Sequence, residues 1–189
     1  NQNNYYKDKE FSMNIARNSL YQNINFEYER KDSVEGVYGV IHQCHFDHEP
    51  IHKKYNIDIK TSVPNKIKEQ TYIAKRDKNG RYWYIGGTWK GDIISAKSRE
   101  FGDFCIVADT IPPIIKGINI FPGKIIKTQN TIKCTIEDKA SGIKSYRGEI
   151  NGKWILMEYD YKRKLLVYEL DRSLKKNKNH EFILTAIDK

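Results

Sequence analysis

The sequence predicts an all-β fold of two tandem antiparallel β-sandwiches of the immunoglobulin-like class, joined near residues 109–113. Short segments with alternating apolar and polar residues recur along the chain. Turn-forming Gly, Asn, Asp and Pro residues separate these segments, and no amphipathic helix of any length competes with them. Short strands at close spacing, divided by turns, are typical of β-sandwiches rather than of βαβ units.

Size and composition agree with small modules. The chain has 189 residues, of which 39% are hydrophobic, and its mean hydropathy is -0.73. Such values favour sheets with one solvated face over a single large α/β enzyme. No apolar run approaches the roughly 18–20 residues of a membrane helix, and no signal peptide opens the chain. Because the first residue is Asn1, we expect an excised fragment or a mature region.

The first module is predicted over residues 1–109, with a polar and ragged start at residues 1–9. Period-2 patterns predict strands at residues 11–15, 24–28, 55–59, 71–74, 82–85, 92–96 and 104–107. Residues 77–80 (DKNG) predict a hairpin, because Asn79 and Gly80 tolerate the positive φ that such a turn requires. Gly86 and Gly87 predict a second break.

The second module is predicted over residues 110–189. Pro112 and Pro113 end any strand before it, since neither has a backbone N–H to donate. Strand patterns then follow at residues 114–118, 131–136, 143–150, 153–159, 165–170 and 181–187. Asn151 and Gly152 form the strongest two-residue hairpin signal in the sequence.

Positive charge is concentrated in the second module. Residues 110–189 hold 16 Lys and Arg against 9 Asp and Glu, a net +7, whereas residues 1–109 hold 17 against 15, a net +2. The basic runs lie at residues 162–164 (KRK) and 175–178 (KKNK). Such a surface favours polyanions, including anionic wall polymers. The alternative, which we prefer, is a set of solvated turn lysines that keep sheet edges soluble. Nucleic acid is not an expected partner, because no reader motif accompanies the charge.

Three cysteines, Cys44, Cys105 and Cys134, cannot all pair within the chain. Cys105 and Cys134 lie in apolar strand patterns and are predicted to be core residues. Whether Cys44 and Cys105 form a disulfide is left open, since pairing depends on how their strands face each other.

Histidines cluster in one segment, residues 42–48 (HQCHFDH), and His52 follows. These side chains are potential zinc ligands, but neither Cys-x-x-Cys nor His-Glu-x-x-His spacing is present. A native metal site, adventitious metal binding and a loop between two strands are all considered, and the loop is favoured. Cys44 and His45 are only adjacent in sequence, and adjacent strand side chains point to opposite faces, so they do not form a nucleophile with its base. The sequence therefore assigns no catalytic, cofactor-binding or metal-binding residue, and it implies no cofactor.

Aromatic residues offer a binding alternative. Trp83, Trp89 and Trp154, together with 13 tyrosines, could form a platform for stacking sugars. The preferred interpretation is that they fill sandwich cores, and Trp154 in particular is predicted to be a buried anchor.

Several stretches resemble a known family. They are residues 138–148 (DKASGIKSYRG), 151–154 (NGKW), 157–160 (MEYD), 99–102 (REFG) and 109–113 (DTIPP), with His45, Pro50 and His52. Together they resemble the C-terminal immunoglobulin-like region of lysostaphin-type zinc metallopeptidases of Gram-negative bacteria, over roughly residues 11–189. The resemblance implies peptidoglycan as the parent enzyme's substrate and an extracytoplasmic location, in the periplasm or at the cell surface. It also implies a structural role for the histidine segment.

The resemblance does not make this chain a peptidase. The zinc ligands of that family lie in a His-x-x-x-Asp and a His-x-His element, and neither occurs among the five histidines. We therefore expect a non-catalytic accessory region of a cell-wall metallopeptidase or a related envelope protein. Its expected partners are an upstream catalytic domain of the parent chain and peptidoglycan or anionic envelope polymers, without a transmembrane segment. The alternative is a carbohydrate-binding or adhesin-like surface module.

Overall fold

β-strands form almost all of the regular structure in the computed structural model, which describes residues 3–171, 174 and 178–189. The predicted all-β class is confirmed, and every strand pairing in the described residues is antiparallel. The chain divides into two compact units, Asn1–Thr110 and Ile111–Lys189.

From residue 3 onward, where the structure describes it, the first unit contains ten strands and one short 3-10 helix, Asn65–Gln70. The strands are β1 (Asn4–Lys7), β2 (Phe11–Ile15), β3 (Tyr28–Lys31), β4 (Val37–Cys44), β5 (Pro50–Lys60), β6 (Thr71–Arg76), β7 (Tyr82–Gly86), β8 (Thr88–Lys90), β9 (Ile93–Glu100) and β10 (Gly102–Ala108). They form one sheet in the order β1-β2-β5-β9-β8 and another in the order β3-β4-β10-β6-β7.

Period-2 burial places the core of the first unit between these two sheets. Phe11, Met13 and Ile15 of β2 are buried, whereas the residues between them are not. Phe104 and Ile106 of β10 face the same core from the other sheet. The intervening residues of β10, such as Cys105, belong to a second cluster on the opposite face of their sheet.

The described residues of the second unit form seven strands in two smaller sheets. The strands are β11 (Ile114–Gly117), β12 (Thr131–Glu137), β13 (Ile143–Ile150), β14 (Lys153–Ile155), β15 (Glu158–Asp160), β16 (Leu165–Glu169) and β17 (Phe182–Asp188). Their orders are β11-β12-β16-β15 and β14-β13-β17. Ile132, Cys134 and Ile136 of β12 are buried in its core.

The predicted turns are present. Residues 77–81 join β6 to β7, and of the two predicted turn residues only Gly80 (φ 78°), not Asn79, has positive φ. Asn151 (φ 51°) and Gly152 (φ 72°) join β13 to β14, and both lie in the left-handed region. Gly86 ends β7 and Thr88 begins β8, which lies in the other sheet, so the chain crosses between sheets at the predicted glycine break.

Three local predictions were wrong. Residues 4–7, expected to be ragged, form β1 and pair with β2. Residues 24–27, expected in a strand, precede β3 as irregular backbone, although Ile24 and Phe26 still pack on the core. Residues 153–159 form two strands, because the chain leaves the sheet of β13 after Ile155 and joins β16 at Glu158.

The basic run at residues 162–164 lies exposed in the turn between β15 and β16. Residues 175–177 of the second basic run lie outside the described residues. Within the described part of the chain, no helix has the length and apolar character that a membrane crossing requires.

Candidate functional site

The fold divides the histidine-rich segment between two strands and the turn that joins them. His42 and Cys44 lie in β4, which the sequence patterns had not predicted, and His52 lies in β5. His45 directly follows β4 with φ 56°, and His48 belongs to the turn. The preferred interpretation of a simple connecting loop was therefore too coarse, since half of these side chains belong to strands.

His42 is buried and belongs to an aromatic cluster of the first unit. Its Nδ1 lies 2.8 Å from the hydroxyl oxygen of Tyr28, within hydrogen-bond distance. The His42 ring stacks on Phe11 at a centroid distance of 5.1 Å, and Phe11 also stacks on Tyr28. Burial lowers the pKa of His42 to about 4, and burial together with Asp8 raises the pKa of Tyr28. Both groups are therefore neutral near pH 7.

Cys44 is equally unsuited to nucleophilic chemistry. Its Sγ lies 3.4 Å from the sulfur of Met13 and 3.8 Å from the hydroxyl of Tyr55. The Tyr55 hydroxyl in turn donates to the backbone carbonyl of Glu100 at 3.0 Å. Burial raises the pKa of the Cys44 thiol to about 12, against a smaller lowering by the Tyr55 contact. The thiolate, which is the reactive form of cysteine, is thus disfavoured.

His45 packs against aromatic rings. Its ring meets Phe101 edge-on at a centroid distance of 5.1 Å and lies 5.9 Å from the ring of Phe26. It also lines a shallow groove of about 380 Å³ with Phe46, His48 and other residues of the neighbouring segments. This groove is open and has a mixed polar and apolar lining, so it offers no enclosed cavity for a small ligand.

The remaining histidines have other neighbours. Nδ1 of His52 lies 3.2 Å from the hydroxyl of Tyr21, and exposed His48 lies 3.9 Å from the carboxylate of Glu49. Among the residues that the structure describes, no three ligand atoms of this segment lie within 4.8 Å of one another. Binding of one ion by three of these side chains would therefore need a rearrangement of the segment.

All three cysteines are buried and free. Cys44 belongs to the core between the sheets and Cys105 to the cluster on the opposite face, so their thiols point away from each other. Cys134 lies in the core of the second unit, as its strand pattern predicts. Burial raises the pKa of Cys105 to about 12 and also raises that of Cys134.

The three tryptophans have different surroundings. Trp89 is half-buried, and its Nε1–H donates to Oγ1 of Thr71 at 3.0 Å, while Nζ of Lys68 lies 4.6 Å from the ring centroid. Trp83 is 57% exposed, and its indole donates to the Asp77 carboxylate at 3.3 Å. Trp154 is also 57% exposed, so the prediction of a buried anchor was wrong.

The register of the small sheet explains the exposure of Trp154. Trp154 pairs with Glu149, which pairs with Ile183 on its other side, so these three side chains share the outer face. Leu156 and Ile187 are exposed as well. Sequence reasoning missed this apolar outer face, although the alternation along β17 contains the signal for it.

The first unit also matches a known family. A family model described as a Zu5-like domain matches residues 1–109, which is more than half of the chain. The match ends next to Thr110, where the first unit ends. No curated protein and no solved structure matches the chain. The chain therefore belongs to the family of Zu5-like domains.

Proposed function

We propose that this chain is a non-catalytic accessory β-sandwich region of a cell-wall metallopeptidase or a related envelope protein, located outside the cytoplasm. Its role is to position a catalytic domain of the parent chain and to hold it near peptidoglycan or anionic envelope polymers. The observation that carries the proposal is the packing of the histidine segment, in which His42, Cys44 and His45 are buried. These three side chains, which could supply catalytic chemistry elsewhere, here support the core.

The resemblance to lysostaphin-type peptidases supplies the envelope context. It rests on the motifs at residues 138–148, 151–154 and 157–160, which belong to the second unit, and on residues 99–102 and 109–113. These motifs include the turn at Asn151 and Gly152 and the strand β15. Residues 143–148 and 151–154 lie in the β13–β14 hairpin and residues 158–160 form β15, which pairs with β16, so these motifs are placed in sheet hairpins, which supports a structural or binding role.

The charge of the second half supports an anionic partner. Residues 110–189 carry a net +7, and the exposed run at residues 162–164 contributes three of their 16 positive residues, of which Lys164 is paired with Glu137. A surface of this sign raises the local concentration of polyanions and speeds their encounter, and this effect weakens as salt is added.

Sedimentation with purified cell-wall sacculi tests the proposal. We expect the chain to pellet with sacculi at low ionic strength and to be released as salt approaches about 0.5 M, where screening shortens the reach of charges. Replacing residues 162–164 by Ser-Ser-Ser weakens this binding. The matched control replaces Lys7, Lys9 and Arg17 of the first unit by Ser and leaves the binding unchanged. A chain that does not pellet at any salt concentration contradicts the proposal.

A carbohydrate-binding surface is the second candidate. The exposed indole of Trp83 favours it, because Asp77 holds the ring edge and leaves the aromatic face open to solvent. A glycan array with Trp83→Ala tests it, and Trp154→Ala, which removes an equally exposed indole on the other unit, is the matched control. Loss of a glycan signal with Trp83→Ala alone supports this candidate, and the absence of any glycan signal excludes it.

A further inference from the structure

Strand β17 is the longest edge strand in the described part of the chain. It has seven residues and pairs with β13 alone, whereas the other strands at sheet edges have three to five residues. Natural proteins keep exposed edges short or protect them, because unpaired backbone groups attract another strand. A long edge therefore suggests that β17 has a pairing partner.

The backbone hydrogen bonds at both ends of β17 show which of its groups face outward. The N–H of Asn151 donates to the carbonyl of Glu181, and the N–H of Lys189 donates to the carbonyl of Gly142. Backbone groups alternate between the two edges of a strand, so odd-numbered residues from 181 to 189 face β13. The N–H and C=O groups of Phe182, Leu184 and Ala186 then face the open edge, and among the described residues they have no partner there.

Side-chain burial indicates that the core is open along the same edge. The inward-facing residues of β17, Phe182, Leu184 and Ala186, are only half-buried, whereas those of β12 are fully buried. On the outer face, Ile183 is 44% exposed and Ile187 is 51% exposed. An added strand would cover both the half-buried core residues and part of these isoleucines.

We propose that β17 pairs with β17 of a second copy of this chain, antiparallel about a two-fold axis at Thr185. This register places Leu184 opposite the partner's Ala186 as a hydrogen-bonded pair, which uses the backbone groups that face the edge. Phe182 then lies opposite the partner's Asp188, also in a hydrogen-bonded pair. The two three-stranded sheets become one continuous sheet of six strands.

Self-complementarity of the strand selects a second copy as the partner. In this register, Ile183 lies opposite the partner's Ile187 on the outer face, and Thr185 lies opposite its own copy. Glu181 lies opposite the partner's Lys189, so the strand ends carry opposite charges. Shifting the centre from Thr185 to Leu184 would place Glu181 opposite the partner's Ile187, which loses both matches. An isologous interface of this kind closes after two copies.

Sedimentation velocity of the chain, over about 1 to 500 µM, measures the proposed dimer, and we expect the dimer fraction to rise with concentration. Ile183→Lys and Ile187→Glu each weaken the dimer about tenfold, because each removes two symmetry-related apolar pairs. The double variant restores dimerisation, since each introduced lysine faces an introduced glutamate of the partner. Tyr161→Ser, in an exposed turn, is the control and leaves the dimer unchanged. Circular dichroism confirms that each variant is folded.

Cysteine cross-linking tests the position of the two-fold axis. Thr185→Cys places two thiols opposite each other in a closely spaced pair, so mild oxidation yields a disulfide-linked dimer. Tyr161→Cys is the control and stays monomeric on a non-reducing gel, and the three native cysteines are buried. A chain that is monomeric at every concentration overturns the proposal, as does a monomer whose edge captures an added extended peptide. If the wild type forms a dimer but the double variant Ile183→Lys/Ile187→Glu does not, the proposed register is wrong.

Discussion

The hydroxyl oxygen of Tyr28 lies 2.8 Å from Nδ1 of His42, and Phe11 stacks on both rings. This contact joins β3 to β4 beside the core of the Zu5-like domain. The buried imidazole of His42 thus has a neutral hydroxyl as its hydrogen-bond partner and not a carboxylate. Little therefore stabilises the charged form of His42. His42, the first of the potential zinc ligands in the sequence, is therefore a packing residue.

The first prediction concerns the pH dependence of stability. Because the pKa of His42 falls from 6.5 to about 4 on folding, the unfolded state binds more protons between these values. The contribution of His42 to stability is complete above pH 6.5 and is lost as pH falls toward 4, by roughly 3 kcal/mol. Urea unfolding of the wild type and of His42→Phe, at pH 7.5 and 4.5, measures this difference.

The control for this prediction is His48→Gln, since His48 is exposed. It should retain the pH dependence of the wild type, whereas His42→Phe should show a weaker one despite its lower stability at pH 7.5. An equal loss of unfolding free energy on acidification in all three proteins would show that His42 is not the titrating group.

The second prediction concerns thiol reactivity. Cys44, Cys105 and Cys134 are buried, and burial raises the pKa of each thiol. We expect none of them to react with Ellman's reagent within minutes at pH 8 in the folded chain, and all of them to react in denaturant. Tyr161→Cys provides an exposed reference thiol that reacts at once. Rapid labelling of the native wild type would contradict the placement of the thiols.

The third prediction concerns Gly87, where the chain crosses between sheets. A Cβ atom at Gly87 would lie 2.4 Å from Cδ1 and 2.7 Å from Cγ1 of Ile94. Gly87→Ala should therefore destabilise the first unit by about 1–3 kcal/mol, as overpacking does. Ile94→Val removes the nearer methyl group, so Gly87→Ala should cost less unfolding free energy in the Ile94→Val background than in the wild type. Chemical denaturation should find the double variant more stable than the sum of the two single effects, and strict additivity would count against the close approach.

The fourth prediction concerns Asn151, which links the β13–β14 hairpin to the start of β17. Its Oδ1 accepts a hydrogen bond from the N–H of Glu181 at 3.0 Å, and its Nδ2 lies 2.8 Å from Nδ1 of His180. Asn151→Gly keeps the left-handed backbone but removes these contacts, so it should cost about 1 kcal/mol. Asn151→Ala should cost about 1 kcal/mol more, because its backbone has φ 51°. Equal unfolding free energies for the two variants would contradict this division.

Strand patterns and turns were the most predictable features of the fold. Phe11, Met13 and Ile15 alternate in burial as their spacing predicts, and Asn151 with Gly152 forms the predicted hairpin turn. Both signals are local, since side-chain period and positive φ depend on neighbouring residues alone. The apolar strand pattern around Cys134 likewise predicted that it is a core residue.

Non-local pairing decided the features that sequence reasoning missed. Strand β4 contains Gly39 and His42, and it is a strand because it pairs with β3 and β10, which its own residue pattern does not predict. Trp154 was predicted to be buried from its residue type, but a register fixed by Glu149 turns it outward. A shift of one residue would reverse that face, so composition cannot decide the exposure of Trp154.

Incubation of the purified chain with peptidoglycan and zinc tests the central claim, that the buried histidine segment is structural and the chain non-catalytic. Mass spectrometry of the soluble fraction should find no wall fragments beyond those released in the presence of a chelator. His42→Phe should give the same result as the wild type. Zinc-dependent release of wall fragments by the wild type, abolished in His42→Phe, would contradict the account.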